Sequence, residues 1–324
     1  MGNESNNKIG IMSGVGSAIM WGADTVLMGV ILGLAPFLPD KAVFLAPFVT
    51  AFLHDSFSAI WTFIYLASKN QIGNLVRSMK TKSALFVILA ALMGGPVGMT
   101  GYLIAVKLIG PSYTAIISSL YPAVGAILAY FILKEKINKK AWLGLVFAIV
   151  GVTLLGYTSG QNGVSIVGFL CAGLCVIGWG SECVICAYGM KGDEVSSEFA
   201  LQIRQLTSAI VYGVLIVPIV GGLGLSFEIL RTSAVWWIGG TALCGTVSYL
   251  CYYNAIYRLG ATRAIGLNIT YVVWSIIFDK IFLGGDIGVI GIISSIMVIV
   301  GVYFVAKEPV VDETEQKPKL VAVK

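Results

Sequence analysis

Long apolar runs, broken only by short polar stretches, recur along the whole sequence and constrain its fold more than any other feature. A run of about 20 apolar residues is long enough to cross a bilayer as a helix. Charged residues make up 11% of the 324 residues, whereas a soluble domain carries about 25%. The pattern therefore predicts an all-α membrane protein, a bundle of helices that crosses a bilayer many times.

Ten transmembrane helices are predicted when each apolar run is counted as one crossing. They cover residues 9–33, 42–67, 83–106, 112–133, 141–158, 164–189, 198–220, 233–257, 264–283 and 287–306. The polar start precedes a first run without a small-residue cleavage pattern, so we interpret that run as a retained helix and not a signal peptide. The polar tail 307–324 contains two prolines and is expected to be disordered in the cytoplasm.

Lysine and arginine lie mainly on one side of the predicted helices. With a cytoplasmic N-terminus, the inner segments hold 16 of the 21 Lys and Arg residues, the outer segments hold 4, and Arg204 lies within a helix. Because cytoplasmic loops are enriched in these residues, both termini are predicted to be cytoplasmic. The net charge of +5 is explained by this asymmetry, so nucleic-acid binding is not indicated.

The second half of the chain matches the first after a shift of 150 residues. The matches include Tyr102 with Tyr252, Gly110 with Gly260, Tyr121 with Tyr271, and residues 149–152 with 299–302. Two Trp-Gly-x-acid units, which begin at Trp21 and Trp179, match at a shift of 158. Halves of five helices each insert in opposite orientations, as in secondary transporters with a site near the midplane. The predicted domains are residues 1–158 and the inverted repeat 159–306, followed by the tail.

Five ionisable side chains lie well inside predicted helices. They are Asp24, His54, Asp55, Glu182 and Arg204. A carboxylate at membrane depth needs a partner or a water-filled cavity, so such groups are functional candidates. Glu182 follows Trp179 by three residues and shares its helix face, and Asp24 is related to Trp21 in the same way. These two units indicate a small site for a cation.

The other ionisable groups allow more than one interpretation. We favour Arg204 as an internal counter-ion that holds helices together over a direct contact with substrate. His54 could pass protons because imidazole titrates near neutral pH, or it could be a hydrogen-bonded structural residue. His54 and Asp55 are about 100° apart on a helix, so their side chains are expected to point in different directions.

Aromatic residues form stripes inside several predicted helices. Tyr271 and Trp274 share a helix face, as do Tyr249, Tyr252 and Tyr253. Aromatic faces around a cavity with one carboxylate bind quaternary ammonium groups by cation–π attraction. Stripes of this kind are more often packing surfaces, and the spacing alone leaves both interpretations open.

The whole chain resembles the drug/metabolite transporter superfamily of EamA type, and within it is similar to the bacterial LicB-type choline importers. The stretches that carry the resemblance are residues 95–99, 105–110, 179–182, 204–205, 207–208, 248–253 and 266–274. They occur in both halves of the chain, and the general superfamily pattern does not require them.

The resemblance implies a multi-pass protein of the bacterial cytoplasmic membrane that imports choline or a related quaternary ammonium compound with protons. It implies no cofactor and no metal. The candidate substrate-binding residues are Trp21, Trp179, Glu182, Tyr252, Tyr253, Asn268, Tyr271 and Trp274. His54 and Asp55 also match the family and are the proton-coupling candidates. Asp24 departs from the family pattern and is added as a candidate substrate ligand.

Other classes of protein fit the sequence less well. An exporter of amino acids or other metabolites would keep the fold and is the main alternative. The sequence contains no Gly-x4-Gly-Lys-Ser/Thr loop for ATP, no ring of repeated polar residues typical of a channel, and no nucleophile–base set of an enzyme. The pair Cys183 and Cys186 has metal-site spacing but no second pair, so we interpret both as packing residues.

The predicted topology is testable by labelling with a membrane-impermeant thiol reagent in a variant that lacks the native cysteines. Added outside intact cells, the reagent should reach a cysteine introduced near Asn162 and spare one near Lys139. The reverse labelling pattern would show that the orientation is wrong.

Overall fold

A computed structural model describes residues 2–38, 40–132, 139–161, 165–190, 195–259 and 267–306. Within these ranges the regular elements are all helical and no strand occurs, which confirms the all-α prediction. The predicted disorder of residues 307–324 lies outside the described residues.

The helices follow the predicted apolar runs closely. The first half contains α1 (Gly2–Leu32), α2 (Asp40–Ser68), α3 (Ile72–Ser78), α4 (Lys82–Leu92), α5 (Thr100–Ile109), α6 (Pro111–Ser118), α7 (Tyr121–Ile132) and α8 (Lys139–Gln161). The second half contains α9 (Ile166–Met190), α10 (Ser197–Val211), α11 (Val217–Val220), α12 (Leu223–Leu230), α13 (Ala234–Leu259), α14 (Tyr271–Phe282) and α15 (Gly288–Ala306). The short helices α3 and α12 lie between predicted spans and were not expected.

Five helical runs among the described residues are long and apolar enough to cross a membrane. They are Asn7–Leu32, Lys82–Ile109, Ile166–Cys186, Ser197–Val220 and Ala234–Ala255. Large apolar side chains are exposed on the outside of the bundle, including Trp236 at 80% exposure. In water such a surface would be unfavourable, so it fits a lipid environment. The chain is therefore a multi-pass membrane protein, and the number of ten crossings stays a prediction.

Three prolines lie at interruptions of the helices. Pro96 lies in a π-helical segment, Met93–Met99, between α4 and α5, and Pro218 lies in the first turn of α11, just after another π-helical segment, Tyr212–Ile216. Pro122 follows the turn that separates α6 from α7. Proline has no N–H to donate, which favours the widening or ending of the helix at these three positions, whereas Pro47 lies within the continuous helix α2.

The two halves are interleaved. The first helix of the chain, α1, packs against α13 and α14 of the second half, whereas α9, the first helix of the second half, packs against α4, α5 and α7. The last helices of the two halves, α8 and α15, pack against each other. Helices from both halves therefore meet at the centre of the molecule.

Glycine permits the close approach of α9 to the π-helical segment. A Cβ on Gly178 would lie 2.7 Å from both the Gly98 Cα and the Met93 carbonyl oxygen. These are backbone atoms, so a side chain at Gly178 would push the two helices apart.

We expect Gly178→Ala to destabilise the protein by about 1–3 kcal/mol through overpacking, measured as a lower melting temperature in detergent. Gly173→Ala is the matched control on the same helix, because a Cβ there meets nothing within 4 Å. This control should keep or raise the melting temperature, since alanine favours helix more than glycine does. An equal response of the two variants would contradict the packing argument.

Candidate functional site

A cavity of about 260 Å³ lies where the two halves meet. Its aromatic lining consists of Trp21, Tyr121, Trp179, Tyr249, Tyr252, Tyr253 and Tyr271, here called the aromatic cage. The polar side chains in the wall include Glu182, Cys183, Arg204, Ser248 and Asn268. These residues come from α1, α7, α9, α10 and α13, the start of α14, and the segment just before it.

Two tryptophans, one from each half, are in contact within the cage. The rings of Trp21 and Trp179 are 5.5 Å apart with an edge-on angle of 66°. Tyr249 meets Trp21 at 5.5 Å, and Tyr121 meets Trp179 at 6.0 Å, both also edge-on. The Trp179 Nε1 donates a hydrogen bond of 3.2 Å to the carbonyl of Gly94, which fixes the indole. Such contacts hold the rings in defined positions around the cavity.

A chain of polar contacts, here called the charge network, runs from Glu182 in the cavity wall to Asp24 in the interior. Arg204 Nε donates to Glu182 Oε1 at 3.0 Å, and Arg204 Nη1 lies 3.5 Å from Asp55 Oδ1. His54 Nδ1 lies 3.2 Å from Asp55 Oδ1, and His54 Nε2 lies 3.0 Å from Asp24 Oδ1. A neutral imidazole carries one N–H, so only the protonated ring can donate to both carboxylates.

Neutral groups complete the charge network. Ser208 donates to Asp55 Oδ2, and Gln205 Oε1 accepts from Arg204 Nη1 at 2.7 Å. The guanidinium carbon of Arg204 also lies 5.8 Å from the centre of the Tyr249 ring. Asp55 therefore contacts the Arg204 guanidinium, the His54 imidazole and the Ser208 hydroxyl, and these contacts offset the cost of burying its charge.

Two predicted substrate ligands lie outside the cavity wall. Trp274 packs against Gly22, and its ring lies 6.2 Å from Phe278. The expected shared helix face with Tyr271 therefore does not bring Trp274 to the cavity. Asp24 is fully buried behind the cage and contacts His54.

The remaining predicted substrate ligands line the cavity together: Trp21, Trp179, Glu182, Tyr252, Tyr253, Asn268 and Tyr271. The expectation that His54 and Asp55 point in different directions is wrong, because their side chains are in contact. Side-chain rotation brings together groups whose Cβ atoms diverge.

Tyr121 was missed as a cage residue, although the repeat contains a signal for it. Tyr121 falls on Tyr271 when the halves are superimposed, and both line the cavity. The Tyr271 hydroxyl lies 2.9 Å from the Ser118 hydroxyl, one turn before Tyr121. Inverted-repeat transporters have their site at the interface between the repeats, where a matched pair of aromatic residues is a candidate for the lining.

A second cavity of about 540 Å³ shares Tyr253 with the first. Lys69 and Glu198 line it and form a loose ion pair of 3.9 Å. The Lys69 ammonium lies 4.5 Å from the centre of the Tyr65 ring, and the Tyr65 hydroxyl donates to Glu198 at 3.1 Å. The wall between the two cavities therefore includes a single shared aromatic side chain.

Known proteins resemble this chain over most of its length. Residues 8–157 and 166–307 each match the EamA-like transporter family. The protein LicB of Haemophilus influenzae is 40% identical over 189 residues, which are 58% of this chain and 63% of LicB. The uncharacterized transporter YyaM of Bacillus subtilis is 26% identical over 268 residues, 80% of this chain and 86% of YyaM.

One solved crystal structure, of a protein 15% identical in sequence, matches this chain with a TM-score of 0.58. The match covers 91% of this chain and 95% of the other protein's chain, which shows a shared fold. The match to LicB spans less than two thirds of that protein. The two family matches together nevertheless cover most of the sequence. The chain belongs to the EamA-like transporter family.

Proposed function

We propose that this protein is a secondary transporter that imports choline or a related quaternary ammonium compound together with protons. The observation that carries the proposal is that aromatic rings from both halves surround one cavity with a carboxylate in its wall. A quaternary ammonium group has no N–H to donate, so aromatic faces and negative charge are the partners that recognise it. The volume of about 260 Å³ suits a small ligand.

The charge balance of the site supports a cationic substrate. The charge network contains three carboxylates, from Asp24, Asp55 and Glu182, against Arg204 and His54. With His54 protonated, one negative charge remains uncompensated. Buried charges are stable only when balanced, so a monovalent cation in the adjacent cavity would stabilise the network.

The same network supports coupling to protons. A proton and a substrate cation would compete for the same Glu182 carboxylate, so binding of one there excludes binding of the other. Import with a proton therefore needs a second titrating group. His54 lies between two carboxylates and does not line the cavity, so it can hold a proton while Glu182 stays charged.

Alternating access between two inverted five-helix repeats is the mechanism we infer. The family matches 8–157 and 166–307 divide the chain close to the predicted boundary at 158. Each half contributes a Trp-Gly-x-acid unit, and the two indoles meet in the cage. A site shared by two halves can open to either side when one half rocks against the other. The excess of Lys and Arg in the predicted inner segments supports a cytoplasmic position for both termini.

Export of amino acids or other metabolites is the second candidate function. Arg204 lines the cavity beside Glu182. This pair could hold a zwitterion, with the substrate carboxylate at Arg204 and its amine at Glu182.

Ligand binding to the detergent-solubilised protein separates the two candidates. We expect choline to raise the melting temperature more than glycine betaine or aromatic amino acids do. Trp179→Leu should weaken choline binding about tenfold, because one desolvated cation–π partner is lost. Trp236→Leu, on the exposed surface, is the matched control and should bind as wild type does. Equal affinity in wild type and Trp179→Leu, or preference for a zwitterion, would contradict the proposal.

Because Trp274 lies outside the cavity wall, we expect Trp274→Leu to change choline affinity less than Trp179→Leu. Titration calorimetry on both variants measures this difference directly. A larger loss in Trp274→Leu would mean that substrate contacts Trp274 in another conformation.

Coupling is tested by choline uptake into vesicles with an imposed pH gradient. His54→Gln and Asp55→Asn should no longer concentrate choline in response to the gradient, because the proton site is lost. Exchange of labelled for unlabelled choline without a gradient should persist in both variants. That result would show that the variants fold and bind choline. If both variants still concentrate choline, Asp24 becomes the candidate and Asp24→Asn is the next variant.

A further inference from the structure

Arg204 contacts the same groups in the cavity wall that a substrate cation would bind, Glu182 and Tyr249. Its Nε donates to Glu182, the carboxylate of the cavity wall, at 3.0 Å. Its guanidinium carbon lies 5.8 Å from the centre of the Tyr249 ring, one wall of the aromatic cage. A carboxylate and an aromatic face are the two kinds of group that recognise a quaternary ammonium ion.

We propose that Arg204 is a tethered competitor for the cation site: substrate binds by displacing its guanidinium from Glu182. The inference rests on the proposed function. The displaced guanidinium has other partners within reach, since its Nη1 already contacts Asp55 at 3.5 Å and Gln205 at 2.7 Å. Arg204 thus neutralises Glu182 when the cavity is empty and releases it when a cation arrives.

The geometry makes this exchange feasible without a buried charge left alone. Asp55 has Ser208 and His54 as partners besides Arg204. The Glu182 side chain keeps 16% exposure, which makes it the accessible end of the network, while Asp55 is fully buried. A cation in the cavity can therefore reach Glu182 and cannot reach Asp55.

The competition sets specificity as well as affinity. A ligand without positive charge offers Glu182 nothing in place of the guanidinium, so it leaves the ion pair intact. A substrate cation takes the place of the guanidinium beside Glu182. The aromatic cage then attracts the cation through several rings, whereas among the described residues Arg204 contacts the ring of Tyr249. Selection for cations then follows from the need to displace a cation.

A double-mutant cycle with choline and tetramethylammonium as probes tests the proposal on the full-length protein in detergent. Arg204→Gln should bind choline about tenfold more tightly than wild type, the effect of removing one charge-assisted competitor. In the Glu182→Gln background the same change should have no effect, because the contested carboxylate is gone. Lys69→Gln is the matched control, a cation removed from the second cavity, and should bind as wild type does.

When Arg204 is removed, protons also compete with choline for Glu182. Choline affinity is therefore measured at neutral and at alkaline pH. The gain in affinity of Arg204→Gln over wild type should be larger at alkaline pH, where fewer protons compete. The other titratable and charged groups around Glu182 are Asp55 on α2, Cys175, Cys183 and Cys186 on α9, and Tyr249 and Tyr253 on α13. Unchanged or weaker binding by folded Arg204→Gln at both pH values would overturn the inference. So would tightening that persists in Glu182→Gln.

Arg204→Lys provides a second variant if Arg204→Gln does not fold. Lysine keeps the charge but cannot bridge Glu182 and Asp55 with separate nitrogens, so it should compete less and bind choline more tightly than wild type. Affinity equal to or below that of wild type overturns the inference. If wild type and all variants bind neither probe, the proposed function itself fails; if wild type binds and the arginine variants do not tighten, only the competition fails.

Discussion

Three carboxylates inside the helical bundle impose the constraint on which the centre of this molecule depends. An isolated charge in this environment is expensive, so each carboxylate must find a partner from another helix. Arg204 on α10 contacts Glu182 on α9 and Asp55 on α2, and His54 extends the network to Asp24 on α1. Four helices from both halves are therefore tied together by one line of charges. Their separation by even a few ångströms would leave a buried charge unpaired.

The irregular helix between α4 and α5 makes space for that network. A Cβ on Gly94 would overlap the Glu182 carboxylate, and a Cβ on Gly95 would overlap the Ser208 hydroxyl. The carbonyls of Gly94 and Gly95 accept hydrogen bonds from Trp179 and Tyr212, which cross from α9 and from the π-helical segment after α10. Glycine and proline weaken a helix, so this segment gives up local stability for close packing around charged groups.

The helices were predictable from the sequence because apolar runs and helix breakers are local signals. Most residues of the aromatic cage were predicted from helix-face spacing together with the resemblance, and the internal repeat, which aligns Tyr121 with Tyr271, also contained a signal for Tyr121. The position of Trp274 outside the cavity was not predictable, because the packing of α14 against Gly22 of α1 decides which face of α14 points to the cavity. The contacts of Arg204 join helices far apart in sequence, and no spacing rule indicates which acid it meets. The geometry of the cavity supports a quaternary ammonium ligand, and the choice of choline within that class rests on the resemblance.

The two cavities repeat one chemical arrangement at different depths. In each, a cation of the chain lies against a tyrosine ring and a glutamate: Lys69 with Tyr65 and Glu198, and Arg204 with Tyr249 and Glu182. The Lys69 side chain is 51% exposed and that of Arg204 only 8%. Exposed ion pairs contribute little because water replaces either partner, whereas opening a buried pair leaves a charge that needs a new partner. If Arg204 competes with substrate as proposed, discrimination between cations and other ligands is concentrated at the buried pair Arg204–Glu182 and not at the exposed pair Lys69–Glu198.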